Sequence, residues 1–105
     1  MTAITVIARL TAREGQEDAV RAMSVSLVEP SRSEEGNLSY RTYNDATDAR
    51  RWVVVEEWES REAFDRHLSS PHMASAFEAG AMLLDSPPVE LIVATDDHAR
   101  VDAPS

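Results

Sequence analysis

"EEWESREAF", residues Glu56 to Phe64, decides how this chain folds. Upstream of it, "RRWVVVEEW" (50–58) is rich in β-branched and aromatic residues and reads as a strand. Its period of two puts Trp52, Val54, Glu56 and Trp58 on one side. Downstream, Ser60 is a good helix N-cap, with Ala63 at the third helical position. Ala63, Phe64, His67 and Leu68 then share a helical face. A strand therefore gives way to a helix at a point that carries carboxylates and a large aromatic. The junction is either an ordinary strand–helix corner or the wall of a chemical pocket.

Working outward, "LSYRTYND" (38–45) reads as a strand joined to 50–58 through the polar turn "DATDA". "AITVIARLT" (3–11) is a further strand, with Ile4, Val6, Ala8 and Leu10 on the buried face and Ile7 a partial exception. From Gln16 to about Glu29 the period turns helical, with a stripe of Ala19, Val20, Met23, Leu27 and Val28. Pro30 must end or kink that helix. A short continuation through "SRSEE" is expected, stopped by Gly36 as a C-terminal cap. After Pro71 a second helical piece is expected from about His72 to Leu84, with a stripe of Met73, Ala76, Phe77, Ala81 and Leu84. "PPVELIVAT" (87–95) reads as the last strand, its prolines placed before any ladder donor is needed.

The order β-α-β-β-α-β predicts an α+β class domain, the ferredoxin-like split β-α-β sandwich, with an antiparallel four-stranded sheet and helices on one face. The domain is expected over 1–95, with a polar C-terminal tail at 96–105. The sheet's other face carries Val and Ile with no helix left to cover it. Pairing with a second copy, sheet on sheet, is the expected solution.

Bulk properties exclude several classes. The 105 residues suffice for one domain. Ten basic against 19 acidic residues, a net charge of −9, argue against nucleic acid and against an anionic membrane surface. With no cysteine, thiolate catalysis, disulfides and Cys-based metal sites are out. "AITVIA" is far short of the ~20 residues of a membrane helix, and no basic segment precedes it, so a cytoplasmic protein is expected.

"ITVIARLTAREGQEDAV", "EPSRSEEGNLSY", "EEWESREAFDRHLSSPH" and "PPVEL" resemble the antibiotic biosynthesis monooxygenase (ABM) domain family, from about Ile4 to Leu91. The most specific piece is Glu-x-Trp-x-Ser, then His, then Ser-Pro-His, between Glu56 and His72. The resemblance implies a ferredoxin-like sandwich that dimerises through its sheets into an α/β barrel. It also implies chemistry on small molecules, for which family members differ. Some are cofactor-free monooxygenases of quinols or polycyclic phenols, some degrade haem, and some isomerise small phosphorylated signals. Positions matched to the asparagine, tryptophan and histidine of haem-degrading members are Ala8, His67 and Phe77 here, so haem degradation is not implied. Polyketide-oxidising members pair the tryptophan with an asparagine and a tyrosine; here those are Trp58, Val54 and Phe64. A smaller quinol, or another substrate, fits as well.

The expected activity is oxidation of an aromatic or quinol-like small molecule by O₂ with no cofactor. The expected catalytic residues are His67, as base near its ordinary pKa of ~6.5, and Glu56 as its partner. The expected substrate-binding residues are Trp58, Phe64, His72, Met73 and Phe77. Blander readings stand beside these. Trp58 reads equally as a core aromatic, Glu56 as a partner of Arg41, Arg50 or Arg51, and His67 as a group satisfying buried carbonyls. His72 reads as part of the N-cap region after Pro71. No metal site is expected, because His67 and His72 are five apart across a proline break and cannot form a one-face helical pair. An isomerase or lyase, or a non-catalytic ligand-binding or stress-response module, remain the alternatives on the same fold.

Overall fold

In the computed structural model, which describes residues 2–94, eight elements follow one another. They are β1 (Ile4–Thr11), α1 (Glu17–Ser26), α2 (Val28–Arg32), β2 (Asn37–Asp45), β3 (Asp48–Trp58), α3 (Arg61–Leu68), α4 (Pro71–Leu83) and β4 (Val89–Ala94). The strands form one antiparallel sheet in the order β2-β3-β1-β4. β3 thus splits the parallel pair β1 and β2, which is the ferredoxin-like arrangement. The expected tail at 96–105, with His98, lies outside the described residues.

Register decides which side chains meet. Ile4 pairs with Trp58, Val6 with Glu56 and Ala8 with Val54, while Tyr40 on β2 also pairs with Glu56. These residues point to the helix side, and all are buried. The opposite face presents rows such as Leu91–Ile7–Val55 and Val89–Arg9–Val53–Tyr43. Val89, Leu91 and Tyr43 are exposed there.

Two helices differ from their expected bounds, and proline explains both. The first breaks at Leu27, upstream of Pro30, and Pro30 falls in the first turn of α2. There its missing N–H removes no intrahelical bond. Pro71 does not merely interrupt a pattern: it is the first residue of α4, capped by the Ser70 hydroxyl, which accepts from the Met73 N–H at 3.3 Å. The Ser60 hydroxyl caps α3 in the same way, accepting from Ala63 N–H at 3.1 Å.

Gly36 is not a helix cap; it lies in the turn between α2 and β2 at φ 88°. A Cβ there would stand 2.6 Å from that of Ala63. Only glycine lets this turn press against α3. Its carbonyl accepts from Glu59 N–H at 2.8 Å, locking the turn to the β3–α3 junction. Among the described residues no helix is long and apolar enough to cross a membrane.

Candidate active site

Glu56 sits mid-sheet on the helix-facing side, 5% exposed. Its Oε1 accepts the indole N–H of Trp58, two residues along the same strand face, at 3.1 Å. The same oxygen is 3.4 Å from Nε2 of His67 on α3. Nδ1 of His67 faces Glu34, at 3.0 Å from its Oε1. Trp58 lies against the imidazole with ring centroids 4.7 Å apart, and Tyr40 meets it edge-on at 5.9 Å. His67 is thus clamped between aromatic rings with a carboxylate at each nitrogen.

Glu34 reaches this cluster because the Gly36 turn presses its segment onto α3. His72 reaches it because α4 begins immediately after α3. Nε2 of His72 contacts the Glu34 carboxylate and lies 3.2 Å from the Ser70 hydroxyl. Among the described residues, the ion-pair partners of Glu34 and Glu56 are these two imidazoles.

Burial pushes the Glu56 carboxyl up to about 7. The Trp58 N–H pulls the other way, and the charges of Glu90 and Glu34 add to the rise. Burial also lowers His67, against the pull of Glu34, so its neutral form is favoured. Its Nδ1–H then donates to Glu34, which leaves Nε2 as an acceptor facing Glu56. Tyr40 is raised, chiefly by burial and then by Glu56, and its phenol stays protonated.

Next to Glu56 lies a cavity of about 450 Å³ between the sheet, α1 and α4. That is within the size range of small-molecule pockets. Its walls are mostly apolar: Ala8 and Val54 from the sheet, Met23 and Leu27 from the α1 side, Met73 and Phe77 from α4. Glu56, Tyr40 and Glu90 bring polar groups to it, and Arg13 and Asp85 stand on its border.

The family model described as antibiotic biosynthesis monooxygenase matches residues 3–79. The chain belongs to this family. The ABM chain is 34% identical over 96 residues to the Mycobacterium tuberculosis protein Rv0793, provisionally named a monooxygenase, covering 91% of this chain and 94% of that one. The solved structure of Rv0793 superposes with a TM-score of 0.85 at 33% identity, over 93% and 99% of the two chains. PA3566 from Pseudomonas aeruginosa superposes with a TM-score of 0.85 at 28% identity, over 90% of this chain and 95% of that chain. A Synechocystis protein, sll1783, is 32% identical over 84 residues, 80% of this chain; the match spans only 57% of that longer relative.

In this ABM-family chain the predicted site residues divide into three groups. Glu56, Met73 and Phe77 line the cavity. His67 and His72 lie behind Glu56 in the polar cluster, off the cavity wall. Trp58 and Phe64 are fully buried with Ile4, Val6 and Ala63. This corrects the expectation that Trp58 and Phe64 wall the hollow. The tight contact of α3 with the strand end leaves no space there, and the space opens instead under α4, on the other side of Glu56. Among the described residues Glu56 does not pair with an arginine: Arg50 reaches Asp85 and the Ala12 carbonyl, and Arg51 reaches Asp48.

Glu34, Tyr40 and Glu90 are the site residues that sequence reasoning missed. Tyr40 was within reach, since the hairpin register places it opposite Glu56. Glu34 carried no signal beyond its position near Gly36.

Proposed function

We propose that this protein is a monooxygenase that oxidises a phenolic or quinol-like small molecule with O₂, without a cofactor in the electron transfer. The observation that carries this reading is the Glu56 carboxylate, buried, near neutral in its proton affinity and set into the wall of a mostly apolar cavity. A general base works best with a pKa near the operating pH. Because His67 stands behind Glu56, the proton acceptor in contact with substrate is Glu56, and His67 positions it through Nε2.

Glu56 removes the phenolic proton of a flat ring held by Met73 and Phe77. The phenolate gives one electron to O₂, and the resulting radicals join at a ring carbon that bears hydrogen. Loss of that C–H proton with cleavage of the O–O bond leaves a second ring carbonyl and releases water. One phenol and one O₂ give one quinone and one H₂O. A cavity that excludes water protects the radical pair.

The assembly proposed is a homodimer, in which the row of Leu91, Ile7 and Val55 on the helix-free face is covered by the same face of a second chain.

The test is oxygen uptake across a panel of phenols and quinols, with ¹⁸O₂ as tracer. Label in the quinone, with uptake abolished in Glu56→Gln, is the expected result. Equal rates in Glu56→Gln would overturn the reading of Glu56 as the base, and turnover that persists without oxygen would overturn the oxidation and point to an isomerase or lyase.

A further inference from the structure

The proline break that separates His67 from His72 also brings them together. α3 ends at Leu68, and Ser69 and Ser70 turn the chain so that the first turn of α4 places His72 beside the C-terminal end of α3. The imidazole centroids are 5.8 Å apart. Glu34 arrives from the α2–β2 turn, and its Oε1 is shared by both rings. One donor atom from each of Glu34, His67 and His72 lies within 4.8 Å of the others.

We propose that Glu34 Oε1, His67 Nδ1 and His72 Nε2 bind one divalent transition ion of the zinc class.

Four observations support the assignment. The first is donor chemistry: two imidazoles and one carboxylate suit a borderline ion such as Zn²⁺, not Mg²⁺ or Ca²⁺, which prefer all-oxygen sets. The second is reach. An ion about 2.0–2.2 Å from each ligand needs donors roughly 3–4 Å apart. The His67–Glu34 pair is already at 3.0 Å, and His72 touches the same oxygen.

The third is the outer contact. A ligating histidine usually donates its second ring nitrogen to a carboxylate, which fixes its orientation. Nε2 of His67 faces Glu56 Oε1 at 3.4 Å, so an ion at Nδ1 would complete that arrangement. The fourth is charge. Glu34 and Glu56 are partly or fully buried in a chain of net charge −9, and neither has an arginine partner among the described residues. A dication would neutralise both. The ion would sit behind Glu56 and leave that carboxylate on the cavity wall, so its binding is measured without reference to the oxidation proposed above.

Protein freed of metal by chelation is titrated with Zn²⁺ by calorimetry, and Co²⁺ serves as the optical probe. One Zn²⁺ per chain, a rise in melting temperature and a visible Co²⁺ band from nitrogen ligands are expected. His72→Ala and Glu34→Gln should each weaken binding by at least the roughly 10–100-fold that loss of an outer hydrogen-bonding partner costs. His72 is half-buried, so its variant should fold, and circular dichroism would confirm it. Glu35→Gln, exposed and adjacent, and His98→Ala, the remaining histidine, should leave affinity unchanged. The proposal is overturned by weak binding that Mg²⁺ matches. It also fails if His98→Ala abolishes binding, or if binding is indifferent to both His72→Ala and Glu34→Gln.

Discussion

Oε1 of Glu56 lies 3.4 Å from Nε2 of His67, and both groups are almost wholly withdrawn from solvent. Burial moves the two in opposite directions, Glu56 up and His67 down, toward a neutral pair. Tyr40, Glu34, His72 and Glu90 are the other titratable groups that face them.

That opposition predicts a pH signature. The folded state holds the Glu56 proton more tightly than the unfolded chain, with about 7 against 4.5. Stability from this group is therefore full below pH 4.5 and is lost as pH rises through about 7. The loss amounts to roughly 3 kcal/mol. His67 acts oppositely, stabilising above 6.5 and losing that contribution as pH falls. In chelator-treated protein, urea denaturation of wild type and Glu56→Gln isolates the first effect. The Gln variant should gain on wild type by up to about 3 kcal/mol between acid and pH 8. A pH-independent difference would refute the burial argument.

Trp58 tests the indole hydrogen bond separately from the indole bulk. Trp58→Phe keeps a ring but removes the N–H that lowers the Glu56 pKa. The pH window of the Glu56 effect should shift upward. Trp58→Ala should in addition cost about 3–5 kcal/mol in denaturation midpoint analysis, as a large core truncation does.

Gly36→Ala meets both a positive φ of 88° and an Ala63 Cβ at 2.6 Å. Its expected cost is of the order of 1–3 kcal/mol by urea denaturation. Since the turn carries Glu34 to His67, Zn²⁺ affinity should fall with it.

Phe77 stands on the cavity wall yet is 47% exposed. Phe77→Ala should change folding stability by less than about 1 kcal/mol. Binding of phenolic ligands, followed by calorimetry, should weaken roughly tenfold or more. A large stability loss with unchanged binding would place Phe77 in the core instead.

Val55 is half-buried in the middle of the uncovered sheet face, opposite Ile7. A charge there opposes any sheet-to-sheet pairing. Val55→Asp should convert a dimer to a monomer in light-scattering chromatography, with the far-UV spectrum retained.

Local pattern was enough for the scaffold. The alternation of Trp52, Val54, Glu56 and Trp58, and the serine at 60, are short-range signals that no distant contact had to supply. Even the placement of Tyr40 beside Glu56 follows from a hairpin register. The position of the hollow could not be read this way. It depends on how closely α3 packs on the strand end and how far α4 stands off, and side-chain periodicity is silent on both. Glu34 and His67 are 33 positions apart, and His72 lies across a chain turn. Their convergence is set by the angle between α3 and α4 and by a glycine turn pressed against a helix, distances that exist only once the elements have packed.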